Sequence, residues 1–259
     1  MLVFNNIKKA LLVLAITLLI SFSFISCGQA DGSASAGTEE SRGKSALYLF
    51  DYEDIGIETT SSIGADIKNC NVYLDLYGDL IIMGELENTA GGTKTDIEIT
   101  IDLLGKDSEP IHNAIVPVKA DYLITGSRYP FHYYYTEKDK YIELSTIKIG
   151  VNYKNYYKDL KGNPIAEIED YSYEKDYLII EGRVVNLGEE KIKDLKLLCT
   201  FYDKKDRVVF IKECYLPRDR MMPEEVQEFT LKILMDQYIK EFTHFNFQIF
   251  FEDEVRVSI

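Results

Sequence analysis

The nonapeptide Leu80–Asn88, LIIMGELEN, returns as LIIEGRVVN at Leu178–Asn186, an offset of 98 residues. Without a gap the same offset pairs Tyr73 with Tyr171, Gly84 with Gly182, Asn88 with Asn186, Asp96 with Asp194, Lys106 with Lys204, Asp121 with Asp219 and Phe131 with Phe229. A chance match of nine residues would not keep register over such a span, so the chain is a tandem duplication. Each copy must fold on one plan, and a role claimed for a residue in one copy can be checked against its counterpart in the other.

Alternation within the copies gives that plan. Ile97, Ile99, Ile101 and Leu103 alternate with Glu98, Thr100 and Asp102, and Leu195, Leu197, Cys199 and Phe201 alternate with Lys196, Leu198 and Thr200. Period two with one wet face predicts half-buried antiparallel strands. The same pattern turns Leu80, Ile82 and Leu86 inward with Glu85 and Glu87 outward, and it matches Ile147, Ile149 and Val151 to Phe245, Phe247 and Ile249. The expectation is an all-β chain with two tandem antiparallel β-sandwiches of about 100 residues each. Gly84 and Gly182 fall on inward positions, where a missing side chain makes room for a large one from the opposite sheet. Asn88 and Asn186 end their strands as turn formers. The aromatic, acidic YLFDYED of Tyr48–Asp54 reads as an edge strand.

Ahead of the duplication, Lys8 and Lys9 precede an apolar run from Ala10 to Ile25, the charged and apolar regions of an export signal. The run ends in Phe24-Ile25-Ser26-Cys27-Gly28, which resembles the lipobox of bacterial lipoproteins. The resemblance implies a signal peptide over residues 1–26 and a lipidated Cys27 that becomes the mature N-terminus. A tether follows over residues 27–45. Its stretch Gly28–Lys44 is rich in Gly, Ser, Ala and charge, and as a flexible chain it spans about 23 Å. The sandwiches are then expected at 46–158 and 159–259, with the boundary in the polar segment Asp159–Asn163. Loss of residues 1–26 removes two lysines and no acid from a chain of 29 basic and 43 acidic residues, leaving a net charge of −16. That sign speaks against nucleic acid and against a polybasic grip on anionic lipid, so the lipid does the anchoring. The expected place is the cell envelope outside the cytoplasm.

Gly182-x-Val-x-Asn186, the strand Leu195 to Tyr202-Asp203 and Pro223-Glu-Glu through Phe229 are similar to the FxLYD-type domain, an immunoglobulin-like β-sandwich of prokaryotic envelope proteins and lipoproteins. The likeness covers most of the second copy. The first has Leu103-Leu104-Gly105 in place of Phe-Tyr-Asp and joins through the duplication. The resemblance implies the immunoglobulin-like fold and no catalytic residue.

Few residues speak for chemistry. Asp203-Lys-Lys-Asp206 joins two expected strands and has the composition of a hairpin turn. A calcium site needs six to eight oxygens, and two lysines between the acids oppose the cation. The first copy has Gly105-Lys106-Asp107-Ser108 at the matching positions. The three histidines, His112, His132 and His244, stand in no nucleophile or zinc motif. His132 is read as a surface side chain, and Gly91-Gly-Thr-Lys-Thr95 lacks phosphate-loop spacing and reads as a loop. No catalytic residue, metal or cofactor is expected. With Cys27 lipidated, Cys70, Cys199 and Cys214 are either buried thiols or include a Cys199–Cys214 bridge. The most unusual feature is tyrosine: Tyr129, Tyr133, Tyr134 and Tyr135, then Tyr153, Tyr156 and Tyr157 before the boundary. Tyrosine is a favoured contact residue, so Tyr133, Tyr134, Tyr135, Tyr153, Tyr156 and Tyr157 are the candidate interaction surface, against the alternative that they pack the first sandwich and the joint. The chain has no tryptophan, which weighs against a carbohydrate platform. Two roles remain. One is a non-catalytic protein-interaction or structural part in the envelope, and the other is binding of a small ligand or polysaccharide in a Tyr-rich cleft between the domains.

Overall fold

The computed structural model describes residues 50–51, 55–60, 62–137, 143–157, 160–236, 239 and 241–254. The signal segment, Cys27, the tether and part of the expected domain boundary lie outside the described residues. The first copy contributes β1 (Phe50–Asp51), β2 (Gly56–Thr59), β3 (Ala65–Leu74), β4 (Leu80–Asn88), β5 (Thr93–Leu104), β6 (Pro110–Pro117), β7 (Tyr122–Leu123), β8 (Arg128–Tyr135) and β9 (Thr146–Tyr156). The second contributes β10 (Pro164–Glu174), β11 (Tyr177–Asn186), β12 (Ile192–Tyr202), β13 (Val208–Cys214), β14 (Val226–Leu234) and β15 (His244–Asp253). Among the described residues there is no α-helix.

Both copies use one strand order. Sheets β3-β4-β8 and β9-β5-β6 of the first copy recur as β10-β11-β14 and β15-β12-β13. The first copy adds β1 on the outer edge of β3, β7 on β5, and β2 on β9. The β2–β9 pair is parallel and the other pairs are antiparallel. Its two strands lie far enough apart in sequence for the crossover that parallel pairing requires. The expected inward residues form the two cores: Leu80, Ile82, Leu86, Ile99, Ile101 and Ile147 in one, and Leu178, Ile180, Leu197, Cys199 and Phe201 in the other.

The residues shared by the copies hold the same local devices. Asp96 and Asp194 sit in left-handed conformation, φ 49° and 52°, inside β-bulges that break the β5–β9 and β12–β15 ladders at matching points. Asp tolerates that conformation better than most residues. Asn88 and Asn186 are fully buried, and each donates its amide to the carbonyl four residues on, Gly92 and Glu190, at 2.9 Å in both. A Cβ on Gly84 would lie 2.8 Å from Phe131, and one on Gly182 would lie 2.7 Å from Phe229. These phenylalanines stand directly opposite on the neighbouring strand of the same sheet. The room is therefore made for a cross-strand partner and not for the opposite sheet as the alternation suggested.

Strands β3 and β10 depart from the common offset. Ala65 faces Asn88, but Pro164 faces Asn186, so β10 is displaced by one residue. The displacement runs along the whole strand and flips side chains to the other face. Tyr73 consequently points out of its sandwich, whereas Tyr171 reaches Phe245, which packs on the second core.

The outer face of β3-β4-β8 packs on the outer face of β13-β12-β15. Tyr73, Ile81 and Met83 meet Tyr202 and Val208 in an apolar cluster of their own. The Tyr73 hydroxyl donates to the Val209 carbonyl (3.0 Å) and Asn71 Nδ2 to that of Val208 (3.1 Å). Phe250 of β15 packs edge-on to Tyr129, with ring centres 5.2 Å apart. Glu85, expected on a wet face, is fully buried here because the second sandwich covers that face. It takes a 2.6 Å hydrogen bond from the Tyr202 hydroxyl, one of 2.6 Å from Asn69 Nδ2 and one of 3.3 Å from Gln248 Nε2, with Arg128 at 3.7 Å. Those donors supply what a buried carboxylate requires.

Candidate functional site

An open cleft of about 420 Å³ lies at one end of the first sandwich, lined by Ile63, Ala90, Gly91, Gly92, Thr93, Lys94, Tyr153, Asn155, Tyr156 and Tyr157. The start of β5 forms one wall and the end of β9 the other, with Lys94 facing Asn155 across the ladder. Lys94 is 4 % exposed as a residue, and its ammonium donates to Asn155 Oδ1 at 2.7 Å and lies 4.6 Å from the centre of the Tyr153 ring. The Tyr153 hydroxyl donates to the Ile63 carbonyl. Tyr156 stacks at a tilt on Tyr122, ring centres 4.5 Å apart. Burial, with the Tyr156 hydroxyl beside it, pushes the Tyr122 phenol up to about 12. Tyr157 is 92 % exposed at the rim. Glycines at 91 and 92 leave open space where side chains would stand. Its described residues offer the Lys94 ammonium, aromatic faces and phenol hydroxyls in a volume suited to a small organic ligand.

The six candidate tyrosines thus divide. Tyr153, Tyr156 and Tyr157 come together at the cleft, and every lining residue belongs to the first sandwich. Tyr133 and Tyr135 turn inward against the first core, where Tyr133 Oη lies 2.7 Å from His112 Nε2 and Tyr135 packs on the His112 ring at 4.9 Å. Tyr134 alternates outward, half exposed beside the exposed His132. Lys94 is hidden in the sequence because it lies in GGTKT and precedes the bulge at Asp96, after which the alternation begins.

The remaining candidates are structural in their contacts. Asp203 and Arg207 close a hairpin turn: Asp203 N–H donates to the Arg207 carbonyl (3.0 Å), and Asp203 Oδ1 accepts from the N–H groups of Lys205 (2.9 Å) and Arg207 (3.0 Å). The same backbone bond recurs in the first copy, from Gly105 N–H to Glu109 O at 2.7 Å. Burial disfavours the Asp203 carboxylate, but the Arg207 guanidinium and the two N–H groups outweigh it and hold the acid below its usual range. Cys70, Cys199 and Cys214 are free thiols. Burial pushes Cys70 up to about 12 and Cys214 to about 11, and raises Cys199 as well. Among the described residues, no three His, Cys, Asp or Glu side chains gather as metal ligands would.

No family model matches the chain, and no curated protein does. Among solved structures, a red sea bream transglutaminase is similar over 68 % of this chain and 27 % of that one, at 8 % identity and a TM-score of 0.24. The chain spans little more than a quarter of that protein's length, and so slight a likeness transfers neither fold nor chemistry.

Proposed function

We propose that the chain is a non-catalytic binding protein of the bacterial cell envelope, held outside the cytoplasm by lipid on Cys27 and built of two FxLYD-type, immunoglobulin-like sandwiches over residues 46–158 and 159–259. The lipobox-like Phe24–Cys27 and the polar tether support the anchor. The strand order repeated in both copies supports the tandem domains. The acidity of the mature chain keeps it from nucleic acid.

The cleft carries the binding role: a concavity with three tyrosines and a buried lysine favours a small ligand or the end of a saccharide over a purely structural part. A protein partner is the second reading. It is favoured by β10, which has no strand on its outer side among the described residues and exposes Ile168, Tyr171 and Tyr173. The matching edge of β3 receives β1, so an extended segment of another envelope protein fits there.

Metabolic labelling with a fatty-acid probe is expected to mark the wild type and not Cys27→Ala; label on the variant contradicts the anchor. Native mass spectrometry of the chain purified from membranes is expected to show a small bound mass that Tyr156→Ala removes. A mass unaffected by that substitution contradicts the cleft.

A further inference from the structure

Three positions make the cleft polar, and each differs in kind from its counterpart in the second copy. Lys94 stands where the second copy has Ile192, Tyr153 where it has Phe251, and Asn155 where it has Asp253. The ladders place the pairs alike, Lys94 opposite Asn155 and Ile192 opposite Asp253. In the second copy this end of the sandwich is sealed. Ile192 is fully buried and Phe251 is 7 % exposed. Gly162 descends so far that a Cβ on it would lie 2.3 Å from Ile192 and 2.5 Å from Phe251. Asp253 secures that loop by accepting from the N–H groups of Lys161 (2.6 Å) and Gly162 (2.8 Å).

In the first copy no described residue closes this end. Ile63 stands two residues before β3, as Gly162 does before β10. It is turned out to solvent, 96 % exposed, and the cleft opens beneath it. Where the second copy has a core isoleucine the first has a lysine, 4 % exposed as a residue. A buried cation ordinarily faces a carboxylate, yet Lys94 meets a neutral amide and a neutral ring. An aspartate at 155, as at 253, would have supplied the counter-charge from within the chain. The neighbouring Lys154 is engaged with Asp96 at 3.0 Å, so among the described residues lining the cleft Lys94 supplies the positive charge.

We infer that this cleft binds a small organic carboxylate, its anionic group on the Lys94 ammonium and its body along Tyr153 and Tyr156. One uncompensated cation suits a monoanion and leaves a phosphate dianion unmatched. The inference rests on the ligand-binding reading above and adds the ligand's charge.

The test is titration of the full-length chain in detergent, followed by tyrosine fluorescence, with glucuronate, benzoate and the methyl ester of each. At least one acid is expected to saturate the signal below about 10 mM, with its neutral ester at least about tenfold weaker. A response to glucuronate alone assigns a sugar acid, and a response to benzoate alone assigns an aromatic one. Lys94→Met is expected to abolish binding while raising Tm, because it restores the apolar end seen at Ile192. Lys94→Arg is expected to retain binding. An ester that binds as well as its acid overturns the charge inference and leaves the cleft reading standing. Failure of both acids, unchanged binding by Lys94→Met, or a lowered Tm in that variant overturns the inference as well.

Discussion

Replacing Tyr202 by Phe removes one hydroxyl from the contact between the two sandwiches and leaves the ring in place. The hydroxyl donates to Glu85 Oε1 at 2.6 Å and accepts from Gln248 Nε2 at 3.1 Å. Burial, followed by the Glu85 carboxylate, pushes the phenol above its usual range, so it stays a donor at neutral pH. A hydrogen bond to a charged group contributes about 1.5–3 kcal/mol, and the fully buried Glu85 keeps only Asn69 and Gln248 as close donors once it is gone. Arg128 adds little, since its side chain is 42 % exposed and 3.7 Å away. A loss of about 2 kcal/mol is therefore expected, or about 4–8 °C in Tm for a folded region of this size. The assay is thermal and urea unfolding by circular dichroism, arranged as a double-mutant cycle with Glu85→Gln. Coupling between the two substitutions should be about 1–2 kcal/mol. Additivity within about 0.5 kcal/mol would refute the reasoning, because the carboxylate and phenol would then not depend on each other.

Phe201, 1 % exposed and ringed by Phe210, Phe242 and Phe245, should cost about 3–5 kcal/mol on truncation to Ala in chemical denaturation. Asp206→Asn in the adjoining turn should stay within about 0.5 kcal/mol of wild type, and calcium should leave the melting temperature of both unchanged. The folded-state pKa of Asp203 is depressed, so its stabilisation is present at neutral pH and lost as pH falls below about 4. The gap in Tm between wild type and Asp203→Asn should accordingly shrink towards pH 3, and a constant gap would count against the Arg207 contact. Cys199 and Cys214, buried with their thiols pushed up, should resist a thiol reagent in the native chain and react on unfolding; rapid native labelling would contradict their burial.

Strand positions and core faces were legible in the sequence because alternation and duplication agree. Leu80, Ile82 and Leu86, or Ile99, Ile101 and Leu103, are buried where period two places them. What the pattern missed arises where a second surface intervenes. Glu85 shares its face with Ile81 and Met83, and those two apolar residues on a supposedly wet face were the available sign that something covers it. The Tyr73–Tyr171 pairing failed in space because the turn after β10 is shorter than that after β3, which moves the ladder by one residue. Gly84 and Gly182 were read correctly as space, but alternation along one strand cannot tell whether a neighbouring strand or a facing sheet fills it. Half of the candidate tyrosines reach the cleft, because Tyr153, Tyr156 and Tyr157 end a strand beside an open loop. Tyr133 and Tyr135 lie within a strand and follow its inward parity. Lys94 can be found by comparison with Ile192, where the copies exchange a charged side chain for an apolar one within a strand.

The binding role of the first-copy cleft is most directly tested by ring-labelled tyrosine NMR of the full-length chain, titrated with glucuronate and with benzoate. The resonances of Tyr153, Tyr156 and Tyr122 should move together and saturate with at least one of the two, while those of Tyr171, Tyr173 and Tyr215, exposed elsewhere, stay fixed. Shifts at those distant tyrosines with none at Tyr153 and Tyr156 would contradict it.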